Sequence, residues 1–97
     1  METYVILGSW TAQGIAKVKK SPARIEAVRK ATAAVGGKMT AWYLTFGRYD
    51  FVVIAEFPDA KAAARLLLAN GSQGNASTET LRAFTEAEFK GVVAALA

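Results

Sequence analysis

The residues best equipped for chemistry fall in two short runs, Gly47-Arg48-Tyr49-Asp50 and Thr78-Glu79-Thr80-Leu81-Arg82. The first sets a carboxylate, a phenolic hydroxyl and a cation beside a glycine that permits a sharp turn. In the second, strand periodicity puts Thr78, Thr80 and Arg82 on one face and Glu79 and Leu81 on the other. Hydroxyls and a guanidinium facing a cleft would orient a small anionic or amphipathic molecule, with Trp10 and Tyr43 as apolar walls. Each run also has a plain structural reading. Gly47 to Asp50 makes a hairpin turn, and the polar fourth strand is an edge blunted against aggregation. Ser72 to Ala76 could offer backbone N–H groups to a carboxylate, or serve only as a loop.

Composition removes much of the remaining chemistry. The 97 residues contain no histidine and no cysteine. Ser-His-Asp and Cys-His catalysis, thiolate sites, His-ligated haem and ordinary zinc sites are thereby excluded. No metal and no cofactor is expected, and no residue is assigned a catalytic role. A cofactor-free enzyme survives as an alternative, with Asp50 or Glu79 as base and Tyr49, Tyr43 or Trp42 shaping the pocket. The net charge of +4 is mild; half of the basic residues lie between Lys17 and Lys30 and read as a solvated helix face. No apolar run reaches membrane-spanning length and no signal-peptide layout opens the chain, so a cytoplasmic protein is expected.

The elements that must position these residues follow from pattern. Thr3 to Trp10 is β-branched and aromatic, a strand, with Thr11 capping a short helix entry. Ser21-Pro22 starts a helix with serine as the cap; Ile25, Val28, Thr32 and Val35 form its stripe and Gly36-Gly37 ends it. Strands over Lys38–Phe46 and Asp50–Phe57 flank the Gly-Arg-Tyr hairpin loop. Asp59 caps a helix over 60–69 with Ala63, Ala64, Leu67 and Leu68 inward, and Ala76–Phe84 is a fourth strand. Thr85 to Glu88 is a capping box opening a last helix that carries Phe89, Val92, Val93 and Leu96. The order β-α-β-β-α-β predicts one ferredoxin-like α+β domain over residues 1–97, an antiparallel sheet with helices on one face plus a terminal helix.

The first three strands are apolar on both faces, whereas a sheet solvated on one side should alternate. In the second strand Met39, Ala41 and Tyr43 oppose Trp42, Leu44 and Phe46. Two helices cover one face only, and the other exceeds the few hundred Å² of apolar patch that monomers tolerate. The expected partner is a second copy, face to face as a dimeric α/β barrel, or a larger homo-oligomer with a small metabolite between the sheets. A module that only self-assembles is a further alternative. Nucleic acid is not expected, because the third strand, Phe51-Val52-Val53-Ile54-Ala55-Glu56-Phe57, lacks the basic-glycine-aromatic start of RNA-recognition modules.

The chain resembles the GYD domain family, through Gly47, Tyr49 and Asp50 of the signature and several separated motifs in order. These include Tyr4-Val5, Trp10-Thr11, Gln13-Gly14, Tyr43-Leu44-Thr45, Gly74-Asn75 and Thr78 through Phe84. The resemblance implies a small bacterial or archaeal protein with a dimeric α/β barrel-type fold, and supplies no established activity. More distantly the chain is similar to the effector-binding domain of Lrp/AsnC-type regulators, at Gly47, Tyr49, Asp50, Thr78 and Thr80. That likeness implies a stand-alone sensor of small metabolites, and without a helix-turn-helix it implies no DNA binding.

Overall fold

The computed structural model describes residues 1–97. Strand β1 is Glu2–Trp10, followed by helix α1 (Ala12–Ala16), a 3-10 turn (Val18–Lys20) and helix α2 (Ser21–Ala34). Strands β2 (Lys38–Leu44) and β3 (Phe51–Phe57), helix α3 (Ala60–Gly71), strand β4 (Ala76–Ala83) and helix α4 (Glu86–Ala94) complete the chain. All strand pairs are antiparallel, in the order β2-β3-β1-β4. This is the ferredoxin-like α+β arrangement. No helix is long and apolar enough to cross a membrane.

Register sorts the side chains into two faces. Tyr4 pairs with Ala55, Ile6 with Val53 and Gly8 with Phe51. These residues, with Phe57, are buried beneath α2 and α3, where Ala62, Ala63 and Leu66 close the core. Full burial of a side chain such as Phe57 stabilises by about 1.5–3 kcal/mol. On the opposite face Val5 pairs with Ile54 and Leu7 with Val52, joined by Tyr43 from β2 and Leu81 from β4. Nothing in the chain covers that face; Val5, Leu7, Val52 and Ile54 are half-buried by their neighbours, and Tyr43 and Leu81 are exposed.

Several expectations are corrected. Ser21 does not cap α2. The preceding 3-10 turn delivers Lys20 already in the right-handed conformation, so Ser21 lies inside the helix and cannot take the extended geometry a cap needs. In α3 the inward residues are Ala62, Ala63 and Leu66, with Leu67 half-buried. Ala64 and Leu68 are exposed, Leu68 because it shares a helix face with the outward Lys61 and Arg65. The run is apolar nearly all round, and only those two charges fix its rotation. In β2 a register shift between Met39 and Ala41 accommodates Thr40 as an extra residue. Met39 and Trp42 therefore both face the helices, while Ala41 and Tyr43 face away. The strands β2 and β3 also stop short of the turn, leaving Thr45–Asp50 as their connection.

The capping box of α4 is present in both directions: Thr85 Oγ1 accepts from Glu88 N at 3.1 Å, and Glu88 Oε1 accepts from Thr85 N at 2.9 Å. This helix is exposed along its whole length, including Phe89, Val92 and Val93. The shape reflects it. The principal extents are 52 × 31 × 18 Å and the radius of gyration is 14.6 Å, against about 12.5 Å for a compact domain of this length.

Candidate functional site

The Gly47–Asp50 segment is built around three anchors. Gly47 turns the chain with φ at 92°, a region that side chains with a Cβ rarely adopt. Thr45 then ties the two ends: its N–H donates to Asp50 O at 2.9 Å and its hydroxyl to Tyr49 O at 2.7 Å. Asp50 reaches sideways to β1. Its N–H donates to Gly8 O at 2.8 Å, and its Oδ2 accepts from Trp10 N at 2.9 Å. The Tyr49 hydroxyl donates to Glu79 Oε2 on β4. That bond, followed by burial and the negative charge of Glu79, raises the Tyr49 pKa above the usual tyrosine value. Arg48 lies over the Tyr49 ring, 6.0 Å from its centroid.

The other motifs meet at the same end of the sheet. Thr11 Oγ1 donates to Gly74 O at 2.6 Å, and Gln13 Nε2 donates to Gln73 O at 3.1 Å and Asn75 Oδ1 at 3.0 Å. Gly14 sits so close to Asn75 that a Cβ would lie 1.9 Å from its carbonyl oxygen. The Trp10 to Gly14 and Gln73 to Asn75 stretches are thus two halves of one joint.

The eight predicted site residues do not form one cluster. Gly47, Tyr49 and Asp50 share the turn, and Tyr43 stands exposed on the open sheet face. Trp10 points to the helical side and packs on Phe51, ring centroids 5.6 Å apart. Thr78, Thr80 and Arg82 pair with Gly8, Ile6 and Tyr4, so they too lie on the helical side rather than facing the open apolar wall. The reason is parity: β4 enters the sheet with Ala76 opposite Trp10, which turns every even-numbered side chain of the strand toward the helices. The open face receives Ser77, Glu79 and Leu81 instead. Arg82 is also remote from the turn, four strand residues or roughly 13 Å along β1 from Gly8. It lies over the Tyr4 and Phe84 rings, 5.6 and 4.6 Å from their centroids, and 3.8 Å from the Glu2 carboxylate.

One partly open pocket exists, and sequence reasoning missed it. A cavity of about 180 Å³ lies between the sheet, α2 and the end of α3. Its floor is Trp10, Trp42 and Phe51, with Trp42 stacked on Phe51 at a 5.6 Å centroid separation and 15° between planes. Arg24, Ser21 and the amides of Asn70, Gln73 and Asn75 supply its polar atoms. The bulge that turns Trp42 under the sheet is what brings the two tryptophans together, and alternation alone gives no signal of it.

With this geometry in hand, comparison with known proteins gives a definite answer. Residues 4–93 match the family described as GYD domain. The chain belongs to the GYD domain family. A relative from Thermus thermophilus, named glutamine synthetase and cystathionine beta-lyase binding protein, is 35% identical over 90 residues, covering 92% of this chain and 95% of the relative. A crystal structure of a Thermus thermophilus protein superposes with a TM-score of 0.54 at 23% identity, over 88% of this chain and 95% of that one. The likeness to that structure supports the fold of this GYD domain.

Proposed function

We propose that this protein is a self-associating regulatory module that binds metabolic enzymes and pairs with a second copy through the open face of its sheet. The enzyme-binding half rests on the relative named for binding glutamine synthetase and cystathionine beta-lyase, with which this chain aligns over nearly its whole length. On this reading the module works in the cytoplasm beside such enzymes.

The pairing half rests on surface. The chain exposes 6389 Å² at a mass of 10.3 kDa, about 1,000 Å² more than a compact monomer of that mass. A stable interface buries about 800 Å² on each partner. The uncovered wall of Val5, Leu7, Val52, Ile54, Tyr43 and Leu81, with the free apolar side of α4, supplies area of that order, and a second copy carries the complementary apolar face.

Purified glutamine synthetase and cystathionine beta-lyase from the same organism, passed separately over the immobilised protein, test the enzyme-binding half. Saturable retention of either enzyme at micromolar concentration is the expected result, and free passage of both overturns it. Sedimentation equilibrium of the protein alone tests the pairing half; a monomer throughout the micromolar range would dispose of it.

A further inference from the structure

We infer that the cavity beneath the sheet is a binding site for a small monocarboxylate bearing one aromatic ring or a short branched chain. The inference stands apart from enzyme binding and from pairing, since the cavity lies on the helical side of the sheet.

Size comes first. A cavity near 150 Å³ holds a benzene ring, so about 180 Å³ takes a single ring or a branched chain plus a small head group. Shape agrees, because the floor of Trp10, Phe51 and Trp42 offers flat aromatic surface to an apolar body.

Charge decides the head group. Arg24 is the one charged residue lining the cavity, and no carboxylate lines it. Arg24 joins no ion pair; its hydrogen bond is a long one, 3.4 Å from Nη1 to Gly14 O, which leaves most of its five donors free. Beside it the Ser21 Oγ is buried without any hydrogen-bond partner. A buried orphan hydroxyl costs stability unless something completes it. A carboxylate pairs with the guanidinium fork, and a χ1 rotation of Ser21 would carry its hydroxyl, which has no accessible surface in this rotamer, to one of the two oxygens. The first turn of α2 adds a favourable dipole there.

The competing ligand classes fare worse. An amine would face Arg24 with no acid to pair with. A hydrocarbon would leave Ser21 and Arg24 unmatched. A dicarboxylate would press its second charge against the aromatic floor.

Both tryptophans of the chain line the cavity, so intrinsic fluorescence reports its occupancy directly. The probes are phenylacetate and isovalerate, with phenylacetamide and phenethylamine as matched controls, each confirmed by calorimetry. The acids are expected to give saturable binding at least tenfold tighter than the amide or the amine, one charge-assisted bond being worth about that factor. Arg24→Met is expected to weaken the acids about tenfold and leave the amide unchanged, Arg24→Lys to restore part of the loss, and all variants to keep the wild-type melting temperature. Acids that bind no better than the amide, no saturation with either acid, or an Arg24→Met variant that holds the acids as tightly as wild type would each overturn the assignment. Because no enzyme is present, failure here leaves the capture experiment above untouched.

Discussion

The Asp50 carboxylate accepts a hydrogen bond from the backbone N–H of Trp10 at 2.9 Å, linking residues forty positions apart in the chain. Trp10 is the last residue of β1, and the partner strand β3 begins only at Phe51. The Trp10 N–H therefore has no ladder partner on that side, and the aspartate of the signature supplies one. Its neighbour Tyr49 reaches the opposite way, to Glu79 on β4. Together they clamp the end of β1 between its two neighbours, which gives the Gly-x-Tyr-Asp sequence a definite mechanical role.

Removing that acceptor should cost stability. Asp50→Ala leaves a part-buried N–H unmatched, for which a loss of about 1–3 kcal/mol is expected. Asp50→Asn keeps an acceptor oxygen and should lose less. Urea unfolding midpoints of the two variants check the order, and equal losses would remove the hydrogen bond as the cause.

The joint between Gly14 and Asn75 makes a second case. Gly14→Ala would place a methyl 1.9 Å from a backbone oxygen that no rotamer change can move aside. A loss of about 1–3 kcal/mol is expected, as for overpacking. Gly71→Ala, where a Cβ meets nothing within 4 Å at the end of α3, is the control. It should be neutral or stabilising by up to about 1 kcal/mol. Amide exchange at Thr11, whose N–H donates to Asn75 O at 3.2 Å, should quicken in the first variant only.

Much of this was legible in the sequence. Period and punctuation found the four strands and the βαββαβ order, because β-branched runs and glycine turns report local geometry. The uncovered apolar face was legible too, since Val5, Leu7, Val52 and Ile54 sit at alternate positions that no helix can reach. What escaped was anything that depends on parity between distant elements. Nothing local in β2 marks Thr40 as an extra residue, so Trp42 could not be placed on the helical side. Nothing in β4 says that Ala76 will meet Trp10, so the side of Thr78, Thr80 and Arg82 was undetermined. The cavity depends on both, and Arg24 looked like one more cation on a solvated helix.

The Tyr49–Glu79 bond predicts a pH response. A hydroxyl that donates to a carboxylate holds its proton more tightly in the folded chain, so the pKa rises on folding. The stabilisation is then fully present below the unfolded tyrosine value of about 10, and it is lost as the pH climbs through the raised folded value. Phenolate absorbance should show one of the three tyrosines ionising later than free tyrosine for this reason, and Glu79→Gln should bring it down. Tyr4 donates to Glu2 Oε1 at 2.6 Å and is raised by that bond in the same direction. Glu79→Gln leaves Tyr4 unaffected, which separates the two signals.

The open sheet face can be tested apart from the core. Leu81 is exposed on that face and pairs with Val5, whereas Leu68 is exposed on the outer side of α3. Neither side chain is part of the buried cluster, so a charge at either position should change monomer stability by no more than about 0.5 kcal/mol. On the proposed face-to-face pairing, their effects should differ. Leu81→Lys would bury an unpaired ammonium between two sheets, and a self-association constant at least tenfold weaker is expected. Leu68→Lys adds a cation one turn beyond Arg65, on the same outward face as Lys61 and already solvated, and should leave association unchanged. Sedimentation equilibrium on the two variants reads the contrast directly. If Leu68→Lys dissociates the protein and Leu81→Lys does not, the copies meet through their helices, and the apolar wall of the sheet needs another partner.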